Sequence, residues 1–300
     1  MNVQSPEGFH PDLRLVARFL PRASYNRVTV HAMRAVTRVM ARYTPGDVET
    51  AALPSGARVH LIRPAAPPPH GGALLWIHGG GYVVGSGAGD LLICRKFVDH
   101  VGVPVVSVDY RLAPKHPYPA ALDDCYAALT WLADLPDVDA NRIAIGGASA
   151  GGGLAAALAL RARDRGEVSP LFQLLSCPMV DDRGTRAAGI KSPYHRMWNE
   201  KSDQIGWEAY LSGADPEVAV PARQANLAGL APAWIGVGSL DPLHDQDVEY
   251  ARRLRDAGVP CQLDVIPGAF HGFDQVAPWA GISKEFGMRQ CDVLREAFRS

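Results

Sequence analysis

Apolar residues in this chain gather into short unbroken runs rather than alternating ones. Arg58 to Arg63, Ala73 to His78, Val103 to Asp109, Arg142 to Gly146, Leu171 to Cys177, Ala233 to Gly238 and Cys261 to Ile266 are rich in Val, Ile and Leu. Runs of this length and kind predict strands covered on both faces, as in a parallel sheet. Between them, Leu91 to Val101, Ala120 to Ala133, the Ala-rich Ala150 to Arg163 and Leu243 to Ala257 are long enough for helices. Strand and helix alternate, which predicts an α/β fold. Gly258 with Pro260 ends the helix whose Val248, Ala251 and Leu254 share one face, and Ser283 to Phe298 reads as a last amphipathic helix.

Two regions break the alternation. The first is the N-terminal segment to about residue 45, with helical pattern in Leu13 to Phe19 and Val28 to Tyr43. The second, about residues 180–220, carries Tyr194, Met197, Trp198, Trp207 and Tyr210, with a helix predicted over Ser202 to Ser212. We expect these two segments to pack together as a cap over one edge of the sheet. The Pro-rich stretch Pro64 to Gly72 predicts an exposed turn, so residues 1–300 are expected to form a single domain.

Composition narrows the function. An apolar share of 47% against 20% charged residues excludes intrinsic disorder. Thirty Lys and Arg against 31 Asp and Glu leave a net charge of -1, so there is no basic footprint for nucleic acid. No run approaches the ~20 apolar residues of a membrane span, and the N-terminus lacks the apolar core of a secretory leader. The five cysteines are odd in number and free of CxxC pairs, which predicts reduced thiols and a cytoplasmic protein. With no HExxH, cysteine cluster or GxxxxGK[ST] loop, neither a metal nor any other cofactor is expected.

The strongest chemical signal is Gly147-Ala148-Ser149-Ala150-Gly151, a GxSxG placed directly after a predicted strand and before a predicted helix. A tight strand-to-helix turn needs small neighbours to hold a serine Oγ clear of the backbone, and the following helix N-terminus favours a developing negative charge. His78-Gly79-Gly80-Gly81-Tyr82 follows another strand. Consecutive glycines there can aim backbone N–H groups at one point, so Gly80, Gly81 and Ala150 are the candidate oxyanion donors. The overlapping Gly151 to Ala156 formally fits a dinucleotide fingerprint, but it begins inside the helix and lacks the acid at the end of a second strand.

A serine nucleophile needs a base and an orienting acid. Of ten histidines, His271 follows the last predicted strand between glycines, with His195 and His244 as rivals and His78 read as structural. Asp241 follows the strand before, and the order Ser149, Asp241, His271 suits a nucleophile elbow; Asp245 is expected to cap the next helix instead. Tyr82 and Trp198 are the candidate substrate-binding aromatics.

His78 to Tyr82, the run DYRLAP at Asp109 to Pro114 continuing through His116 to Asp124, the elbow at Ser149, Asp241-Pro-Leu and His271-Gly-Phe together resemble the hormone-sensitive-lipase-like branch of the α/β-hydrolases. The resemblance spans roughly residues 75–275. It implies an eight-stranded, mostly parallel sheet with a helical cap, hydrolysis of short to medium carboxylic esters, and no cofactor. It also implies Ser149 as nucleophile, His271 as general base and acid, Asp241 as orienting carboxylate, and structural roles for Tyr110, Arg111, Asp123 and Asp124. Ala148 departs from the Asp or Thr common before the nucleophile. The expected partner is a small-molecule ester, with a homodimer left open; an amidase or deacetylase using the same residues, or a small-molecule receptor of the same fold, are the alternatives.

Overall fold

The computed structural model describes residues 8–22, 30, 33–34, 37, 45–66, 71–184 and 193–299. The seven apolar runs become strands of one sheet: β2 (Arg58–Ile62), β3 (Ala73–Ile77), β4 (Val105–Asp109), β5 (Ile143–Ala148), β6 (Phe172–Ser176), β7 (Ala233–Gly238) and β8 (Cys261–Ile266). An eighth, β1 (Glu49–Ala52), escapes the hydrophobic pattern because it reads Glu-Thr-Ala-Ala and lies mostly exposed at an edge. The order across the sheet is β1-β2-β4-β3-β5-β6-β7-β8. β1 pairs with β2 and β2 with β4 antiparallel, and every other pairing is parallel.

Unbroken apolar strands give each face of the sheet its own core. Leu75 and Ile77 of β3 point to one side, with Val106, Ile143 and Ile145, and pack with the helices Ala120–Ala133, Ala150–Arg165 and His244–Asp256. Leu74 and Trp76 point to the other, with Val105, Ala144 and Trp234, under the helices Leu91–Val101 and Gly281–Arg299. All five residues of β3 and all six of β5 are buried, as a doubly covered sheet requires. The buried indoles keep their polar atoms satisfied: Trp76 donates to Asp90 at 2.8 Å and Trp234 to Asp264 at 2.7 Å.

The chain turns from β3 outward to β4, then returns to lay β5 on the opposite side of β3. Loops leaving the carboxyl ends of β3 and β5 therefore diverge and leave a crevice, where ligands bind in open α/β sheets. The predicted helix over Ser202 to Ser212 appears as Glu200–Leu211 and that over Leu13 to Phe19 as Arg14–Phe19. Val30, Met33, Arg34 and Thr37 are helical, while most of the helix expected over Val28 to Tyr43 falls outside the described residues. Among the described residues no helix is long and apolar enough to cross a membrane.

The DYRLAP run acts in the scaffold. Arg111 grips the fully buried Asp124 carboxylate with Nε at 2.9 Å and Nη2 at 2.9 Å, and its own N–H donates to the same group at 2.8 Å. Removing one partner strands a charge inside the protein. Arg111→Ala is expected to destabilise the fold by about 3 kcal/mol, seen as a lower urea midpoint at unchanged m value.

Candidate active site

Ser149 sits between β5 and the helix Ala150–Arg165 with φ 55° and ψ -120°, a conformation that costs a non-glycine residue energy. Its neighbours make the turn possible. A Cβ on Gly151 would stand 2.0 Å from the Ile77 carbonyl oxygen, and one on Gly147 would stand 2.5 Å from the Gly151 backbone. The elbow thus passes against the end of β3 with no room for a side chain on either flank. Ser149 N–H donates to Ser176 O at 2.8 Å, and Ser149 O accepts from Met179 N at 2.9 Å, which ties the turn to the end of β6.

His271 Nε2 lies 3.0 Å from Ser149 Oγ, and His271 Nδ1 lies 2.8 Å from Asp241 Oδ2. The other Asp241 oxygen accepts the Leu243 N–H at 2.8 Å, so the carboxylate is held from both ends. Asp241 and His271 come from the loops after β7 and β8, and all three side chains are buried. Burial opposes a charge on His271, but the adjacent Asp241 carboxylate outweighs it and carries the imidazole well above its ordinary value.

Of the rival histidines, His195 is buried with Nε2 unpartnered, and burial lowers its pKa. His244 Nδ1 pairs with Asp245 at 2.8 Å. That pairing also corrects the role expected for Asp245, since the helix His244–Asp256 has no side-chain cap. His78 stacks on Tyr110 at 4.1 Å beneath the glycine loop, as a structural residue would.

A cavity of about 270 Å³ opens above Ser149, lined by Gly80, Gly81, His271, Met33, Trp198 and Val276 among others. The glycine loop reaches it in a left-handed conformation: φ is 114° at Gly80 and 58° at Gly81, and a Cβ on Gly80 would meet the Val84 carbonyl oxygen at 2.1 Å. Ala150, first residue of its helix, carries one of the N–H groups that have no partner within the helix.

The two candidate aromatics part company. Trp198 lies over the site, its ring 5.8 Å from that of His271, and its Cη2 would stand 2.4 Å from a Cβ on Gly81. Tyr82 does not line the cavity. Its side chain turns into the core, stacked on Tyr210 at 4.2 Å with its hydroxyl donating to Met179 O at 3.1 Å, because φ of 66° swings it away from the cavity. It anchors the glycine loop instead of facing a ligand.

Sequence reasoning missed Asp203. Buried on the helix Glu200–Leu211, it accepts the Trp198 indole N–H at 3.4 Å, and burial pushes its carboxyl up to about 7. One helical turn on, Gly206 lets the helix close on Gly81, where an added Cβ would stand 2.9 Å from the Gly81 carbonyl oxygen. The signal available in the sequence is spacing: Asp203 lies four and seven residues before Trp207 and Tyr210, on the face that they turn inward. Cys177, too, lies beside His271, with nothing in its spacing to announce it.

A family model for the alpha/beta hydrolase fold matches residues 74–275. The chain is 38% identical over 226 residues to an ethyl acetate hydrolase of Pseudomonas putida, covering 72% of this chain and 70% of that protein. It is 36% identical over 230 residues to the esterase LipI of Mycobacterium tuberculosis, covering 73% and 71%. Among solved structures, the esterase LipW of Mycobacterium marinum superposes with a TM-score of 0.86 at 34% identity, covering 97% of this chain and 96% of that one. A bacterial heroin esterase does so with a TM-score of 0.86 at 31% identity, covering 97% and 98%. With the elbow, the glycine loop and the eight-stranded sheet in place, the chain belongs to the α/β-hydrolase family, in its hormone-sensitive-lipase-like branch.

Proposed function

We propose that this chain is a serine carboxylesterase that hydrolyses small esters of short to medium acyl chain through a Ser149 acyl-enzyme. The observation that carries the reading is the continuous hydrogen-bonded line from Ser149 Oγ through His271 to Asp241. His271 Nε2 takes the serine proton as Oγ attacks the ester carbonyl, while Asp241 fixes the imidazole with Nδ1 protonated and steadies the imidazolium that forms. The N–H groups of Gly80, Gly81 and Ala150 hold the new oxyanion. His271 then returns its proton to the departing alcohol. Water, activated by the same imidazole, attacks the acyl carbonyl and releases the acid, restoring Ser149. A cavity of about 270 Å³ lies at the small end of ligand pockets, which favours short acyl chains.

The N-terminal segment to about residue 45 and the segment of about 180–220 act in this reading as a cap on a single domain. Supporting this, Arg196 Nε donates to Ala17 O at 2.6 Å, Phe9 packs edge-on to Tyr194 at 5.3 Å, and Trp198 reaches over Gly81. A cytoplasmic location remains part of the proposal, resting on the composition and spacing of its cysteines.

On p-nitrophenyl esters from acetate to laurate, we expect a rate maximum at butyrate or hexanoate and its collapse by at least about 10³-fold in Ser149→Ala. A Ser149→Ala enzyme that keeps wild-type turnover overturns the assignment. Because His271 must be neutral to act as base and its pKa is raised, the acid limb of kcat/KM is expected above pH 6.5. Asp241→Asn should move that limb to lower pH and cut the maximal rate by about 10⁴. The folded Asp203 holds its proton up to about pH 7, whereas the unfolded carboxyl releases it near 3.8, so folding stability falls as pH rises through that window. Asp203→Asn is therefore expected to raise Tm by several degrees at pH 8, a gain that fades toward pH 4 in a thermal-melt series.

A further inference from the structure

Cys177 follows β6 and has φ 38°, a left-handed conformation that a side chain rarely adopts. Its N–H donates to Gly236 O at 2.7 Å, and with the Met179-to-Ser149 bond two residues on, the backbone there is held from both sides. The held conformation sets the thiol beside the imidazole. Sγ of Cys177, a carboxylate oxygen of Asp241 and a ring nitrogen of His271 all lie within 4.8 Å of one another. Asp247 stands close enough to act electrostatically on all three, and it is fully buried with both carboxyl oxygens unpartnered. A soft donor, an imidazole and a carboxylate thus stand together, next to a second buried carboxyl that lacks any hydrogen-bond donor.

We propose that Cys177, His271 and Asp241 form a binding site for a soft divalent cation such as Zn²⁺ or Cd²⁺, and that occupying it shuts the enzyme down. Thiolate, imidazole and carboxylate are the donor set that zinc takes, and three protein ligands leave a fourth position for water from the cavity. A tetrahedral ion ~2.0–2.3 Å from each ligand asks for ligand atoms about 3.5 Å apart. The present separations, all within 4.8 Å, bracket that spacing, and where the metal takes Nδ1 the 2.8 Å bond to Asp241 opens to admit it. The ion enters as a dication and the thiol proton leaves to solvent. Inhibition follows from geometry: one His271 nitrogen faces Asp241 and the other Ser149, so whichever the metal takes, the line of hydrogen bonds is cut. Binding stands on the three donors alone; its inhibitory effect rests on the esterase reading above.

Two measurements test this on the full chain. In the first, Zn²⁺ or Cd²⁺ is titrated against p-nitrophenyl butyrate turnover, each variant scaled to its own metal-free rate, with EDTA reversal and Mg²⁺ as an oxygen-seeking control. Cys177→Ser and Cys177→Ala are expected to need at least about tenfold more metal for half-inhibition, since even outer-shell losses cost that much. Equal sensitivity of wild type and both variants, or equal inhibition by Mg²⁺, overturns the proposal. The second needs no activity: Cd²⁺ added to Ser149→Ala should raise a thiolate-to-metal charge-transfer absorbance that is missing from Ser149→Ala/Cys177→Ser. If that band is absent, the site does not exist, whatever the enzyme hydrolyses; if it appears while the wild type turns over no ester, the site stands and the esterase reading fails.

Discussion

The site depends on one steric constraint, the closeness of the elbow to the end of β3. Ile77 O leaves no space for a side chain at Gly151, and the Gly151 backbone leaves none at Gly147. Only because the chain is bare at both positions can the turn pass there, force Ser149 into a positive φ, and start a helix immediately behind it. The same closeness brings the glycine loop after β3 to the same side of the cavity as Ser149. Ser149 and the glycine loop are thus registered through a contact between neighbouring strands, in which Ile77 pairs with Gly147.

Around that constraint the polar groups fall into two kinds. Asp241 is buried but accepts bonds from Leu243 and His271, and its charge is put to use in raising the imidazole. Asp203 and Asp247 are buried with too few donors, so burial pushes both toward their neutral forms. The first kind supplies chemistry and the second is a standing cost. Costs of that sort persist where something else holds the surroundings in place, and Asp203 is kept inside by the helix that also brings Trp198 onto Gly81.

Much of this was legible in the sequence. Continuous apolar runs revealed seven of eight strands because strands covered on both faces have no polar side to interrupt them; β1, covered on neither, left no such trace. That Ser149, Asp241 and His271 would meet was legible because each follows a strand at the same end of the sheet. Tyr82 shows where the reading stopped. Its place beside the glycine loop suggested a ligand contact, yet the ring is held by Tyr210 and Met179, partners more than ninety residues away. Asp203 and Cys177 were invisible for the same reason: a carboxyl under an indole and a thiol beside an imidazole are tertiary facts, with no periodicity to betray them.

The sheet distributes the machinery unevenly. Ser149 hangs from β5, buried along its whole length at the centre, whereas His271 follows β8, the terminal strand, four of whose six residues are only partly covered and two exposed. Edge strands open at lower cost than central ones. Ser149 is therefore mounted on a central, fully buried strand and His271 beyond an edge strand. Any excursion that loosens β8 separates Ser149 from His271 while the central strands stay paired.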